Sequence, residues 1–394
     1  MSNDLFAGIG VVPGTFLLPR PDANWTAWAC VACDQYTSEP EYWQRVNTLV
    51  GHQPSTLRLI LPECDLPAPP ERIDAIHAAM RDALNVLHPG VTDGFVLLER
   101  TTSTGKRLGL VCCVDLEQYR YDGAKTLIRP TEETVASRLP ARLAVRNGAP
   151  LESSHVMLLL DDPQRTVIEP LYARRDQLSP LYDFDLMQQS GHARGWAVTS
   201  DTDKAAIAAA LNRLKDALGA DPLLFAVGDG NHSLAAAKRF WEEKRETLPE
   251  NERETDPARF ALVEIENIHE PSLDFEPIHR VIFDTDASAF AAEFTAHRTE
   301  WEAKDKTLGE RVAAAESFCR AYIAAHGGYI DYIHGDCECV EMSQRFGCAG
   351  ILLPRMEKSE LFSSVMKSGP FPKKSFSIGH GNDKRYYLEC REIR

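Results

Sequence analysis

A chain of 394 residues is longer than one hydrophobic core ordinarily serves, and 44% hydrophobic with 26% charged residues is the make-up of a folded protein, not a disordered one. The formal net charge of −15 excludes a broad nucleic-acid-binding surface, which needs cations to displace counterions, but leaves room for a local basic pocket and a small anionic metabolite. No apolar run of roughly 18 residues is present, and the opening MSNDLFAGIGVVPGTFLLPR has no basic start and is interrupted by Pro13 and Gly14, so no membrane span and no secretory leader are expected, with the cytoplasm as the default setting.

Residues 17–65 are rich in turns and aromatics, with Trp25, Trp28, Tyr36, Tyr42 and Trp43 close together. Residues 57–61, LRLIL, read as a short strand stopped by Pro62. Pro67, Pro69 and Pro70 then lead into a helix whose apolar face is Ile73, Ile76, Met80, Leu84 and Leu87, ended by Pro89-Gly90. Residues 95–98 and 108–114 flank a polar stretch and predict a hairpin. Residues 156–160 have the length of a buried strand.

Residues 205–218 predict a second amphipathic helix, with Ile207, Leu211, Leu214 and Leu218 on one face. Residues 223–227 predict a buried strand, followed at once by a glycine turn and a helix presenting Leu234, Ala237 and Trp241 inward. Further on, 260–265 reads as a strand, 309–325 as a helix, and 329–333, 338–342 and 349–353 as short strands. The alternation is too irregular for a purely parallel sheet, so the expected class is α+β, a mixed sheet with packed helices.

Ten cysteines are scattered through the chain. Cys30 and Cys33 have CxxC spacing without a second such pair, and Cys337, Cys339 and Cys348 are the nearest approach to a metal cluster. Reduced cysteines on adjacent strands are the simpler expectation.

The most informative stretch is Gly228-Asp229-Gly230-Asn231-His232-Ser233. Two glycines let the backbone take left-handed torsions and approach a ligand, and the following helix starts with N–H groups that lack intrahelical acceptors. Such a strand–turn–helix arrangement is an anion site, with phosphate a common occupant. Asn231 or Ser233 would cap the helix, His232 would bond a phosphate oxygen, and Asp229 makes sense beside an anion if it binds Mg²⁺ or a substrate ammonium. The same pattern also suits a glycine turn with an Asn cap and no ligand, because it is neither GxGxxG nor a Walker loop.

This turn resembles the Asp-Gly-His-His-type motif of the bacterial and archaeal family DUF1015. So do residues 28–36 (WACVACDQY), 127–134 (LIRPTEET), 276–280 (EPIHR) and 371–376 (FPKKSF), which together span almost the whole chain. Asn231 stands where the family usually has its first histidine, and Ser233 where an arginine is common. The turn is also similar to that of the ParB/sulfiredoxin-like fold, which implies a core of that type and, by analogy, phosphoryl-transfer chemistry. The family match makes 1–394 a single family-length unit, with lobes of 1–255, carrying the glycine turn, and 256–394.

The resemblance turns attention to further residues. Arg129 and Arg138, flanking Thr131 and Glu132, would supply cations and an acid/base carboxylate, although the segment also reads as a solvated charged stretch. His279-Arg280 suits an anionic substrate or a structural pair. Lys373-Lys374-Ser375 suits a phosphate clamp or a surface loop. Asp34, following a strand-like run, would act as base or metal ligand, and His192 and His380 sit in glycine-bearing stretches. The expected activity is a Mg²⁺-dependent phosphotransferase acting on a small hydroxyl metabolite such as free serine, with a nucleotide or pyrophosphate as donor. There His232, Glu132 and Asp34 are the catalytic candidates. A phosphate-ester hydrolase and a non-catalytic nucleotide-binding sensor are the alternatives, and a ParB-like nucleic-acid protein is least favoured by the charge.

Overall fold

A computed structural model describes residues 5–153, 156–301, 305–379 and 381–394. The chain forms two compact units. The first comprises Met1–Arg129, Thr134–Leu273 and His380–Arg394; the second comprises Pro130–Glu133 and Asp274–Gly379.

The first unit is built on a mixed sheet of ten strands among the described residues. Its main path runs Ile128–Pro130, Phe225–Asp229, Val156–Leu160, Phe260–Asn267, Gly105–Asp115, Leu87–Thr102, His192–Val198, Ser179–Asp185. Phe260–Asn267 is parallel to Val156–Leu160 and antiparallel to Gly105–Asp115, so the expected α+β class holds. Both faces are covered, which is why the central strands read as continuous apolar runs instead of alternating ones. Leu108, Leu110, Cys112 and Val114 join a core with Phe95, Leu97, Val263 and Ile265. Val111 and Cys113 point the other way, into a core with Val96, Leu98 and Leu262.

Helix Asp201–Asp216 begins at Ser200, whose hydroxyl accepts the Asp203 N–H at 3.1 Å, and has acids in its first turn and bases in its last. The expected inward residues of helix Asn231–Thr247, Leu234, Ala237 and Trp241, are all buried. Residues beyond 380 return to this unit. Tyr386–Tyr387 pairs with Cys30–Val31, and Arg391–Glu392 with Leu151–Glu152.

Three local expectations are corrected. Residues 57–61 form no strand; Thr56–Leu59 is a 3₁₀ turn fixed by Ser55, which accepts the Leu57 N–H at 3.2 Å, and by Thr56, which accepts the Cys30 N–H at 3.0 Å. The helix starting at Pro70 ends at Ala83, and Leu87 opens the long strand Leu87–Thr102. Pro89 fits there because that stretch pairs only with Gly14–Pro19, before the two-sided part of the strand begins. Residues 338–342 lie in helix Asp336–Ser343, with Asp336 and Glu338 in its first turn.

Among the described residues the second unit carries a four-stranded antiparallel sheet in which Phe275–Phe283 pairs with Tyr329–His334, Cys348–Ile351 and Phe376–Ile378. Helix Leu308–His326 starts with a reciprocal capping box between Thr307 and Glu310. Phe290, Phe294, Phe318 and Tyr322 form an aromatic cluster between it and helix Ala287–Trp301. No helix among the described residues is long and apolar enough to cross a membrane.

Candidate functional site

Strand Phe225–Asp229 delivers the glycine turn, with a register shift between Val227 and Asp229 that re-aims the last residue. Gly230 has φ +87°, and a Cβ there would lie 3.0 Å from the Arg385 guanidinium and 3.3 Å from Val156. Both torsion and close approach therefore require glycine. Gly230 itself is the N-cap of helix Asn231–Thr247 and no side chain caps it, so Asn231 and Ser233 are first-turn residues and not caps. The Gly230 N–H goes to the Asp229 carboxylate at 2.8 Å. The N–H groups of His232 and Ser233 lie where an α-helix has no acceptor of its own.

Asp229 also meets Arg385 Nε at 3.1 Å, and Arg385 reaches Asp34 at 3.5 Å with its other arm. Burial opposes the charge on Asp229, but Arg385, Lys384 and the Gly230 N–H outweigh it and hold the carboxyl at about 2. Burial lowers the Lys384 ammonium despite Asp229 and Asp34 nearby. His232 Nε2 accepts the Val135 N–H at 3.1 Å, which leaves the ring proton on Nδ1. Burial, then Arg142 and Arg138, push this imidazole down to about 4, so it is neutral at pH 7 and offers an N–H.

Arg138 is the N-cap of helix Leu139–Arg146 and Arg142 lies within it, so that Arg138, Arg142 and Arg146 recur every fourth residue. Glu63 pairs with Arg142 at 2.6 Å and with Arg138 at 3.8 Å; Glu152 pairs with Arg146 at 2.5 Å and Arg391 at 2.7 Å. Four guanidiniums thus share two carboxylates. Beside them a cavity of about 80 Å³ has Ser233, Cys33 and Tyr387 on its wall. The Tyr387 hydroxyl and Cys33 Sγ lie 3.4 Å apart in a hydrogen bond.

Asp34, Arg138, Gly228, Asp229, Gly230, Asn231, His232 and Ser233 therefore all belong to the first unit. Arg129 does too, but it is buried in an ion pair with Asp221. His192 begins strand His192–Val198 and bridges Asp183 and Asp185 at 2.6 and 2.7 Å. His380 lies outside the described residues.

Thr131, Glu132, His279, Arg280, Lys373, Lys374 and Ser375 belong to the second unit. There Glu132 accepts the Ser375 N–H at 3.1 Å, and Lys374 adopts φ +59°. Burial raises the Glu132 carboxyl to about 7 against the N–H groups of Ser375, Phe376 and Lys374 and the Lys374 charge. Thr131 is fully buried and its carbonyl accepts the Phe371 N–H at 2.7 Å. Lys373 and Lys374 are exposed, while Ser375 is buried with its hydroxyl on Pro372 O at 2.6 Å. His279 is buried between the Leu353 N–H at 3.1 Å and Asp336 at 2.8 Å. Arg280, also buried, stacks on Tyr332, pairs with Glu316 at 3.2 Å and donates to Lys374 O at 2.7 Å. These two residues brace the second unit's sheet and loop.

Sequence reasoning missed Arg142, Arg146, Glu63, Lys384 and Arg385. The four-residue spacing of the arginines was a usable signal, whereas nothing local marks Arg385. No group of three or more His, Cys, Asp or Glu side chains among the described residues could hold a metal. Cys337 and Cys339 lie on helix Asp336–Ser343, and Cys348 on a strand. Asp229, the expected Mg²⁺ ligand, already has a guanidinium in that place. Asp34 meets the same guanidinium at 3.5 Å, so of the two it is the more loosely held carboxylate.

No curated protein matches the chain. Among solved structures, a conserved hypothetical protein from Pyrococcus furiosus aligns over 72% of this chain and 95% of its own, at 9% identity and a TM-score of 0.34. A family model described as a protein of unknown function, DUF1015, matches residues 16–392, a span that contains every one of the resembling motifs and the turn itself. The chain belongs to the DUF1015 family.

Proposed function

We propose that this protein is a phosphotransferase that moves a phosphoryl group from a nucleotide or pyrophosphate to the hydroxyl of a small metabolite, free serine being one candidate. The observation that carries this reading is a neutral His232, with a donor Nδ1–H, in the first turn of an uncapped helix beside Arg138 and Arg142. First-turn amides and guanidiniums hold phosphate oxygens, and a neutral imidazole adds a hydrogen bond without another full charge. Asp34 would hold Mg²⁺, which when bound neutralises phosphate oxygens. Asp229 and Arg385 fix the shape of the turn. The likeness of the turn to that of the ParB/sulfiredoxin-like fold, a small anionic metabolite as partner and a cytoplasmic setting belong to the same reading.

The test is to incubate the purified protein and Mg²⁺ with ATP, ADP or pyrophosphate and a panel of hydroxyl metabolites, following products by ³¹P NMR. A new phosphomonoester is expected, formed about 100-fold more slowly by His232→Ala. Phosphate release without an acceptor would make the protein a hydrolase, and tight nucleotide binding without turnover would make it a sensor.

A further inference from the structure

The cavity beside the glycine turn has walls of two kinds. One part of its wall is aliphatic, from Leu59, Leu61, Met80, Val145 and Ile393. Another is charged, from Arg142 and Arg146 together with Glu63 and Glu152, the carboxylates they pair with. Arg146 is only 9% exposed, and its Nε and one terminal nitrogen have no acceptor among the described residues; the same holds for Arg142 Nε. A guanidinium cannot shed its proton to escape this, and a buried donor left unmade costs more than an ordinary hydrogen bond gains. Water would satisfy the N–H groups but not the charge, because Glu63 and Glu152 are each divided between two arginines.

We propose that this cavity is a binding site for a short-chain aliphatic carboxylate, its charged end on Arg146 and Arg142 and its hydrocarbon body against Leu61, Met80 and Val145. The volume of about 80 Å³ sets the size. It is roughly half that of an engineered cavity that takes benzene, which corresponds to a body of about three to five carbons. A planar carboxylate presents two oxygens to a guanidinium in the matching fork. Phosphate is bulkier, and such an aliphatic wall gives its remaining oxygens no partner. Because Ser233 belongs both to the wall and to the turn, a hydroxyl on the bound acid would be presented towards His232. That last step, which makes the phosphoryl acceptor a short hydroxy acid, rests on the phosphotransferase reading; the carboxylate site itself does not.

The experiment is calorimetric titration of the full chain, without any phosphoryl donor, with acetate, propionate, butyrate, valerate, octanoate, n-butylamine and inorganic phosphate. Affinity is expected to rise about fourfold per methylene up to butyrate or valerate and to fall at octanoate, with no binding of butylamine. Arg146→Gln should weaken butyrate at least about tenfold. Should that variant fold poorly, Ala141→Phe, at a half-buried helix position on the cavity wall, keeps every charge and should abolish the chain-length dependence. Butylamine binding as tightly as butyrate, butyrate binding untouched by Ala141→Phe, or absence of any carboxylate binding would overturn the proposal. So would phosphate displacing butyrate from the arginines more tightly than any acid binds. Carboxylate binding without phosphoryl transfer would remove the proposed reaction and leave this site standing; transfer without carboxylate binding would do the reverse.

Discussion

Two carboxylates in this molecule face nearly the same local problem and end in opposite states. Asp229 takes the Gly230 N–H at 2.8 Å beside a left-handed residue, and Glu132 takes the Ser375 N–H at 3.1 Å beside left-handed Lys374. Asp229 is nevertheless held at about 2, whereas Glu132 rises to about 7. The difference is the cation. Asp229 has the buried Arg385 guanidinium at 3.1 Å, whose field is little screened, while a positive charge that acts on Glu132 comes from the exposed Lys374. Main-chain amides alone do not keep a buried carboxylate ionised; a buried, permanently charged partner does.

The strongest way to break this contrast is Arg385→Met. It leaves Asp229 without its partner and is expected to cost about 3 to 5 kcal/mol in urea unfolding. If stability stayed within 1 kcal/mol of the parent, the guanidinium would not be what holds Asp229.

Next is the pH profile of Glu132. Its folded value of about 7 lies above the ordinary 4.5, so the folded state holds a proton the unfolded chain has already released. Stability from this group is full below 4.5 and is lost as pH rises through about 7. Melting temperatures of the parent should therefore fall, relative to Glu132→Gln, between those pH values. Parallel profiles would show that the amides carry the charge unaided.

The last effect, opposite in its pH direction, is expected at His232, whose folded value of about 4 lies below the ordinary 6.5. Here the folded state refuses a proton that the unfolded chain accepts, so stability is full above 6.5 and is lost as pH falls towards 4. His232→Gln should flatten that acid limb. Histidine NMR would also place the ring proton on Nδ1 at neutral pH.

How much of this was legible in the sequence follows from what each feature depends on. The glycine turn was readable because a buried run, two glycines and an amphipathic helix are consecutive, and each has its own local signal. Residues 57–61 misled because five residues of one apolar run fit a strand as well as a 3₁₀ turn, and the hydroxyls of Ser55 and Thr56 decided between them. Residues 338–342 misled for a related reason: their short pattern buries only Cys339. Arg142 and Arg146 were visible as a four-residue repeat, but their unmet donors depend on Glu63 and Glu152 being shared with other arginines. The triad of Asp34, Asp229 and Arg385 joins distant parts of the chain, and no local period encodes such a meeting.

The return of the chain to the first unit after residue 380 sets the order in which a nascent polypeptide can finish it. The ribosome must make all of Asp274–Gly379 before Arg385 exists to meet Asp34 and Asp229, and before Leu388 O can accept the indole N–H of Trp28 at 2.8 Å. Until then the core layer that Tyr386, Tyr387, Leu388, Cys390 and Ile393 complete stays open, so the stretch left without its cover is the one around Trp28, Cys30 and Val31.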